Sequence, residues 1–190
     1  GSSLLNNEPV VAALNQRLPV TLSLVIGATV VATLVGILLG VVSSPGRGVT
    51  ARIIDILSIG GLAVPGFWLA LILITVFSVE AGWFPATGYV PFSQSPGDWA
   101  WYLTLPVLAL ALTGITSIAK QTREAMLDVL GSDFIRNLRA NGIPERSVIF
   151  RHALRSSGVN VTTISGLLFI GALSGSVVVE QVFGLPGLGS

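Results

Sequence analysis

Between Arg17 and Arg47 the chain carries no charged residue. An α-helix needs about 20 consecutive apolar residues to cross the hydrocarbon of a bilayer, and residues 19–42 (PVTLSLVIGATVVATLVGILLGVV) meet that length. Further intervals of low charge lie at about 56–79, 103–122 and 157–179. The pattern predicts an all-α integral membrane protein, a polytopic helical bundle with four spans in one transmembrane domain over residues 1–190. Composition agrees: 52% of the residues are hydrophobic and 10% charged, against about 25% charged in an ordinary soluble domain.

The remaining features refine this picture. Val10, Val11, Leu14 and Leu18 have helical spacing, which fits a short amphipathic helix at the membrane interface. Gly27, Gly36 and Gly40 allow close helix packing, and Gly36 and Gly40 form a GxxxG pair. Pro45, Gly46 and Gly48 make a turn beside Arg47 and Arg52. Pro65 removes a helical hydrogen bond, so it should kink or break the second span near its middle. Residues 80–102 form a loop whose Trp83, Phe84, Tyr89, Phe92, Trp99, Trp101 and Tyr102 suit an aromatic belt. The absence of cysteine excludes disulfides, thiolate metal sites and cysteine nucleophiles. The start shows no cleavable signal pattern, and its lack of a methionine points to a fragment.

Charge is concentrated in one place. Residues 120–155 hold Lys120, Arg123, Arg136, Arg139, Arg146, Arg151 and Arg155, seven of the ten basic residues, with His152, the single histidine. Loops rich in Lys and Arg stay on the cytoplasmic side. The basic loops are therefore expected in the cytoplasm, and residues 80–102 and 180–190 outside. One basic loop in a lipid-soluble chain is a topology signal, which argues against a nucleic-acid partner.

Within this segment Ser132 can cap a helix, with Asp133 favourably placed in its first turn. Phe134, Ile135 and Leu138 share a face. Gly142 suits the left-handed residue after a helix end, and Pro144 the first turn of the next helix. Three apolar side chains exposed on a cytoplasmic loop call for a protein partner.

The sequence FIRNLRANGIP followed by ERSVIFRHALRSS resembles the cytoplasmic EAA loop of ABC importer permeases. The resemblance is to the dipeptide, oligopeptide and nickel branch, carried by Arg139, Ala140, Asn141 and Gly142, then Arg151, His152, Ala153, Leu154 and Arg155. Two further blocks are similar to that branch: VPGFWLALILITVFSVEAGWFPATGY, with Pro65, Phe67, Trp68, Gly82, Trp83, Pro85 and Gly88, and VVVEQVFGLPGLG, with Glu180, Phe183, Pro186, Gly187 and Gly189. The Trp-rich loop favours the B-type subunit, here lacking the first and last spans.

The resemblance implies the type I importer permease fold, in the plasma (inner) membrane. It implies a second permease subunit, two ATP-binding-cassette ATPase domains and an external substrate-binding protein as partners. Residues 123–155 would form the coupling loop, with Phe134, Ile135, Leu138, Arg139, Ala140, Gly142, Arg151 and His152 toward the ATPases. Pro65, Phe67, Trp68, Glu180, Phe183 and Pro186 would line the translocation path or gate. The chain would hold no catalytic residue, metal or cofactor; with no phosphate-binding Walker loop here, ATP and magnesium would belong to the ATPases. Peptides are the expected cargo, with nickel chelates and glutathione as alternatives. A secondary transporter or channel should carry an ionisable group within a span, and none of the four intervals has one at its middle. Glu180 has two readings: an acid that snorkels to water from a helix end, or part of a gate.

Overall fold

A computed structural model describes residues 9–44 and 64–190. They form five helices: α1 (Val10–Ser43), α2 (Gly66–Glu80), α3 (Pro96–Leu130), α4 (Asp133–Ala140) and α5 (Glu145–Phe183). α1, α3 and α5 are long and apolar enough to cross a membrane; α2 is shorter. Leu34, Leu38, Val42, Leu167 and Ile170 are all more than half exposed. Apolar side chains pointing outward along long helices suit a hydrocarbon solvent and not water. Three of the four expected spans thus fall in helices long enough to cross a membrane, while the second interval, at about 56–79, is helical from Gly66 onward. Its first half, the turn at Pro45, Gly46 and Gly48, and Arg47 and Arg52 lie outside the described residues.

Several boundaries differ from the sequence expectation. α3 starts at Pro96, so Trp99, Trp101 and Tyr102 are helical and the preceding loop covers only residues 81–95. The start has a local cause: the Ser95 hydroxyl accepts from the Asp98 N–H at 3.3 Å, and proline is well placed at a first helical position. α5 runs to Phe183, which places Glu180 in a helix and not in a loop. It begins at Glu145 and passes through a wider π-helical stretch at Val148–Ala153 before continuing as regular α-helix. Pro144 therefore sits just before this helix, in extended backbone. Pro65 is in extended backbone, and α2 begins at the next residue.

The chain packs as two compact units, to which the long helices all contribute. One unit has described residues 9–29, 64–111 and 169–190. Its core joins Val20 and Leu24 of α1, Ala70 of α2, Leu105 and Ala109 of α3, and Val179 and Phe183 of α5. α2 turns Ala70, Leu73, Ile74 and Phe77 to this core, one face at helical spacing.

The other unit has described residues 30–44 and 112–168. Here the GxxxG pair is used inside the chain. A Cβ on Gly36 would lie 2.7 Å from Cβ of Ile118, and one on Gly40 would lie 2.6 Å from Cβ of Thr122. Both glycines thus let α1 approach α3 closely. A second core gathers Val41, Met126, Ile135, Val148 and Ala153.

Candidate functional site

The hairpin of α4 and the start of α5 is built from short-range signals. The Ser132 hydroxyl accepts from the Ile135 N–H at 3.5 Å, capping α4. At the other end Gly142 has φ +74°. Its N–H donates to the Arg139 carbonyl at 3.0 Å, and the Ile143 N–H donates to the Leu138 carbonyl at 3.2 Å. This pair of bonds is a Schellman ending, which needs a left-handed residue where glycine alone pays little. Ile143 and Leu138 both pack against the neighbouring core, the apolar contact that accompanies the motif.

An ion pair spans the turn. Arg139 Nε donates to Glu145 Oε2 at 3.0 Å, and Arg139 Nη2 donates to Glu145 Oε1 at 2.6 Å. The two parallel bonds fix the guanidinium geometrically. The hydrogen bond from Arg139 holds the Glu145 carboxyl below its ordinary range, and the same bond raises the Arg139 guanidinium further. Both side chains are about half exposed, 43% and 54%, so the pair contributes at most about 1 kcal/mol. Arg139 is thus held by its own chain, where the sequence expectation left its fork open for a partner.

The apolar triad divides. Ile135 is fully buried and Leu138 half-buried, both against Met126, Val148 and their neighbours, whereas Phe134 is 52% exposed. The expectation that all three face a partner is corrected: a face of this width meets the chain's own core first. Phe134 keeps an outward position, its ring edge-on to His152 at 6.1 Å. Ala140, Gly142 and Arg151 are exposed and His152 is half-buried. Of the expected set, Phe134, Arg139, Ala140, Gly142 and Arg151 are therefore exposed, with His152 half-buried beside them.

In the other unit, Glu180 does not snorkel to water; it is completely buried. One carboxylate oxygen, Oε1, accepts from the Thr21 hydroxyl at 2.6 Å, and Oε2 accepts from the Gly189 N–H at 2.8 Å. The Thr21 oxygen in turn accepts from the Leu188 N–H at 2.9 Å. Gly187 closes over the carboxylate: a Cβ there would lie 2.3 Å from Glu180 Cδ. α5 ends beside this network in a second Schellman motif. Gly184, at φ +63°, donates to Gln181, and Leu185 donates to the Glu180 carbonyl at 2.9 Å. Phe183 is buried beneath, and its carbonyl accepts from the Gly88 N–H at 3.2 Å. Thr21 was not foreseen as a functional residue; its hydroxyl is an ordinary feature of an apolar span.

Pro186 is exposed and lines a recess of about 790 Å³ with Arg17, Tyr89, Phe92 and Trp99. Phe67 and Trp68 are exposed, and Trp68 belongs to a separate shallow recess with Leu71, Ile72, Thr75 and Val76. Of the six residues expected at a path or gate, Glu180, Phe183 and Pro186 thus form one constellation, and Pro65, Phe67 and Trp68 lie on or before the face of α2 away from it. Among the described residues no three of His, Cys, Asp and Glu converge as a metal-binding group.

Comparison with known proteins bears on these constellations. A family model described as "binding-protein-dependent transport system inner membrane component" matches residues 32–190, which include all of the hairpin and the Glu180 network except Thr21. A protein of Brucella abortus (strain 2308), named for a peptide transport system permease, is 45% identical over all of this chain and 60% of its own length. The oligopeptide transport system permease protein AppB of Bacillus subtilis (strain 168) is 40% identical, over all of this chain and 61% of its own. The glutathione transport system permease protein GsiC of Pectobacterium atrosepticum is 37% identical, over all of this chain and 60% of its own. The chain therefore spans about 60% of the length of the curated relatives it matches.

Proposed function

We propose, because the chain belongs to the family of binding-protein-dependent transport system inner membrane components, that it is the larger part of a permease subunit of an ATP-driven importer, carrying peptides across the plasma (inner) membrane. The names of its relatives support a peptide cargo, since those from Brucella and Bacillus are peptide and oligopeptide permeases. Glutathione is the second reading, favoured by the Pectobacterium relative, and is itself a small peptide. The partners proposed are a second permease subunit, two ATPase subunits on the cytoplasmic side and an external binding protein that delivers cargo.

The hairpin supports the coupling role. Phe134 stands exposed on a short helix that is capped at both ends and backed by its own core. Such a helix can sit in a groove of an ATPase as a rigid key, with Phe134 as the apolar anchor. ATP-driven closure of the ATPases then moves the hairpin, and the spans follow in a shift between inward- and outward-open states. Glu180, Phe183 and Pro186 are proposed as the gate on the external side, where a buried carboxylate holds the closing loop in one conformation.

The single observation that carries the coupling proposal is the left-handed Gly142 in a fully formed Schellman turn. Gly142→Pro tests it. Proline fixes φ near −65° and removes the N–H that bonds Arg139, so the turn cannot form. In the full-length assembled transporter, the variant should insert normally but lose cargo-stimulated ATP hydrolysis. Stimulation at the wild-type level would refute the coupling role.

A further inference from the structure

The carboxylates of the hairpin are already taken. Asp133 pairs with Arg136 at 3.0 Å and Glu145 with Arg139 at 2.6 Å. Among the described residues, no carboxylate lies within ion-pair distance of Arg151 or Arg155. These two guanidiniums sit one turn apart, on and just after the π-helical stretch of α5. With His152, Ser156 and the ring of Phe134 they line an open cavity of about 410 Å³. Two cations with no ion-pair partner among the described residues, a hydroxyl and an imidazole around one hollow make a site for an anion with several acceptor oxygens. Arginine's planar fork matches phosphate in particular.

The setting indicates where that phosphate comes from. Phe150 and Val159, on the same helix to either side of the arginines, are exposed at 55% and 74%. The apolar interval of the fourth span starts at about residue 157, directly after Arg155 and Ser156. Cations between exposed apolar residues at the head of a span mark headgroup depth, and the cytoplasmic leaflet is the anionic one. We propose that Arg151, His152, Arg155 and Ser156 bind the phosphate of an anionic phospholipid headgroup, seating the hairpin on the inner leaflet. The inference rests on the membrane orientation of the function proposed above and adds a lipid ligand to it.

The test uses the full-length permease in its assembled complex, placed in nanodiscs of phosphatidylcholine with or without phosphatidylglycerol. Bound lipid is read by native mass spectrometry after gentle release. Each arginine near an anionic surface contributes about fivefold in affinity, so Arg151→Gln with Arg155→Gln should weaken phosphatidylglycerol retention roughly thirtyfold. Arg151→Lys with Arg155→Lys retains charge and should restore most of it, which separates loss of the site from loss of the fold. Three outcomes overturn the proposal. Retention is unchanged in the glutamine pair; inorganic phosphate binds the wild type in phosphatidylcholine alone and phosphatidylglycerol does not compete; or the glutamine pair releases the ATPase subunits with lipid retention intact, which assigns the arginines to a protein partner. Lipid binding is measured without transport, so failure of the coupling proposal leaves this readout interpretable.

Discussion

The Glu180 network yields the sharpest prediction, because two separate stretches, α1 through Thr21 and the closing loop through Gly187 and Gly189, meet at one buried carboxylate. Replacing Gly187 by alanine places a methyl 2.3 Å from Glu180 Cδ and 2.4 and 2.6 Å from its two oxygens. No side chain tolerates that approach, so either the carboxylate or the loop must leave. If the carboxylate moves, it loses bonds of 2.6 Å from Thr21 and 2.8 Å from Gly189. Hydrogen bonds to charged groups contribute about 1.5–3 kcal/mol each, and the two are not additive, so a total near 3 kcal/mol is expected. That energy should appear as easier opening of the loop from Gly184 onward. Amide exchange of Leu188 and Gly189 reports it directly, since both N–H groups belong to the network. Their protection should fall by about two orders of magnitude in Gly187→Ala, because each 1.4 kcal/mol is a factor of ten.

A double-mutant cycle makes the cause explicit. Glu180→Ala alone should also lower protection, since it removes the acceptor for Gly189. In that background the alanine at 187 meets no carboxylate, so its additional cost should shrink below about 0.5 kcal/mol, the level expected for independent sites. Glu180→Gln retains shape and one acceptor and should fall between. Additive losses from the two alanine substitutions would refute the reasoning, for they would show that Gly187 is needed for backbone freedom and not for room over Glu180.

Three further outcomes follow from the other unit. Ile135→Ala should cost about 2–4 kcal/mol of thermal stability, while Phe134→Ala should cost under about 1 kcal/mol, being half exposed, yet weaken ATPase co-purification more than any other single change in α4. The Arg139–Glu145 pair lowers the folded carboxyl's pKa, so its stabilisation is complete above the ordinary glutamate value of about 4.3 and is lost as pH falls through the lower folded value; exchange of the Gly142 amide should accelerate only in that acid window, by less than about fivefold for so exposed a pair. Gly40→Leu should destabilise the helix pair severely, because even a Cβ lies 2.6 Å from Thr122 Cβ, and melting of the detergent-solubilised chain at the wild-type temperature would contradict the close packing.

Local chemistry was legible in the sequence wherever a residue type carries its own backbone requirement. Ser132 and Gly142 mark the ends of α4 without any alignment, since one supplies a capping oxygen and the other a left-handed φ. Three of the four low-charge intervals located long helices, because hydrocarbon admits little else. What was not legible depends on partners distant in sequence. Thr21 and Glu180 lie 159 residues apart, and nothing local in either stretch announces the bond. The split of Phe134 from Ile135 likewise depends on where Met126 and Val148 stand. The start of α3 was different in kind: Ser95, Pro96 and Asp98 are a readable cap, but the prolines and glycines before them favoured a loop reading.

The hairpin's construction bears on how force could pass through it. A docking helix transmits motion only if its own joints are stiffer than the contact that pushes it. α4 meets this condition by three independent devices: the serine cap, the Schellman turn with its apolar contact, and the paired Arg139 and Glu145 across the turn. Ile135 then locks it to Met126 of α3 and to Val148 and Ala153 of α5. Any displacement of Phe134 must therefore carry α3 and α5 with it or break a core. The π-helical stretch Val148–Ala153 lies in this path, where the backbone ladder is wider than in the helix on either side. Arg151 and His152 lie within it and Arg155 just beyond it. On the proposals above, an anion held there would brace this stretch of α5, so the lipid site and the docking surface would lie side by side next to Phe134.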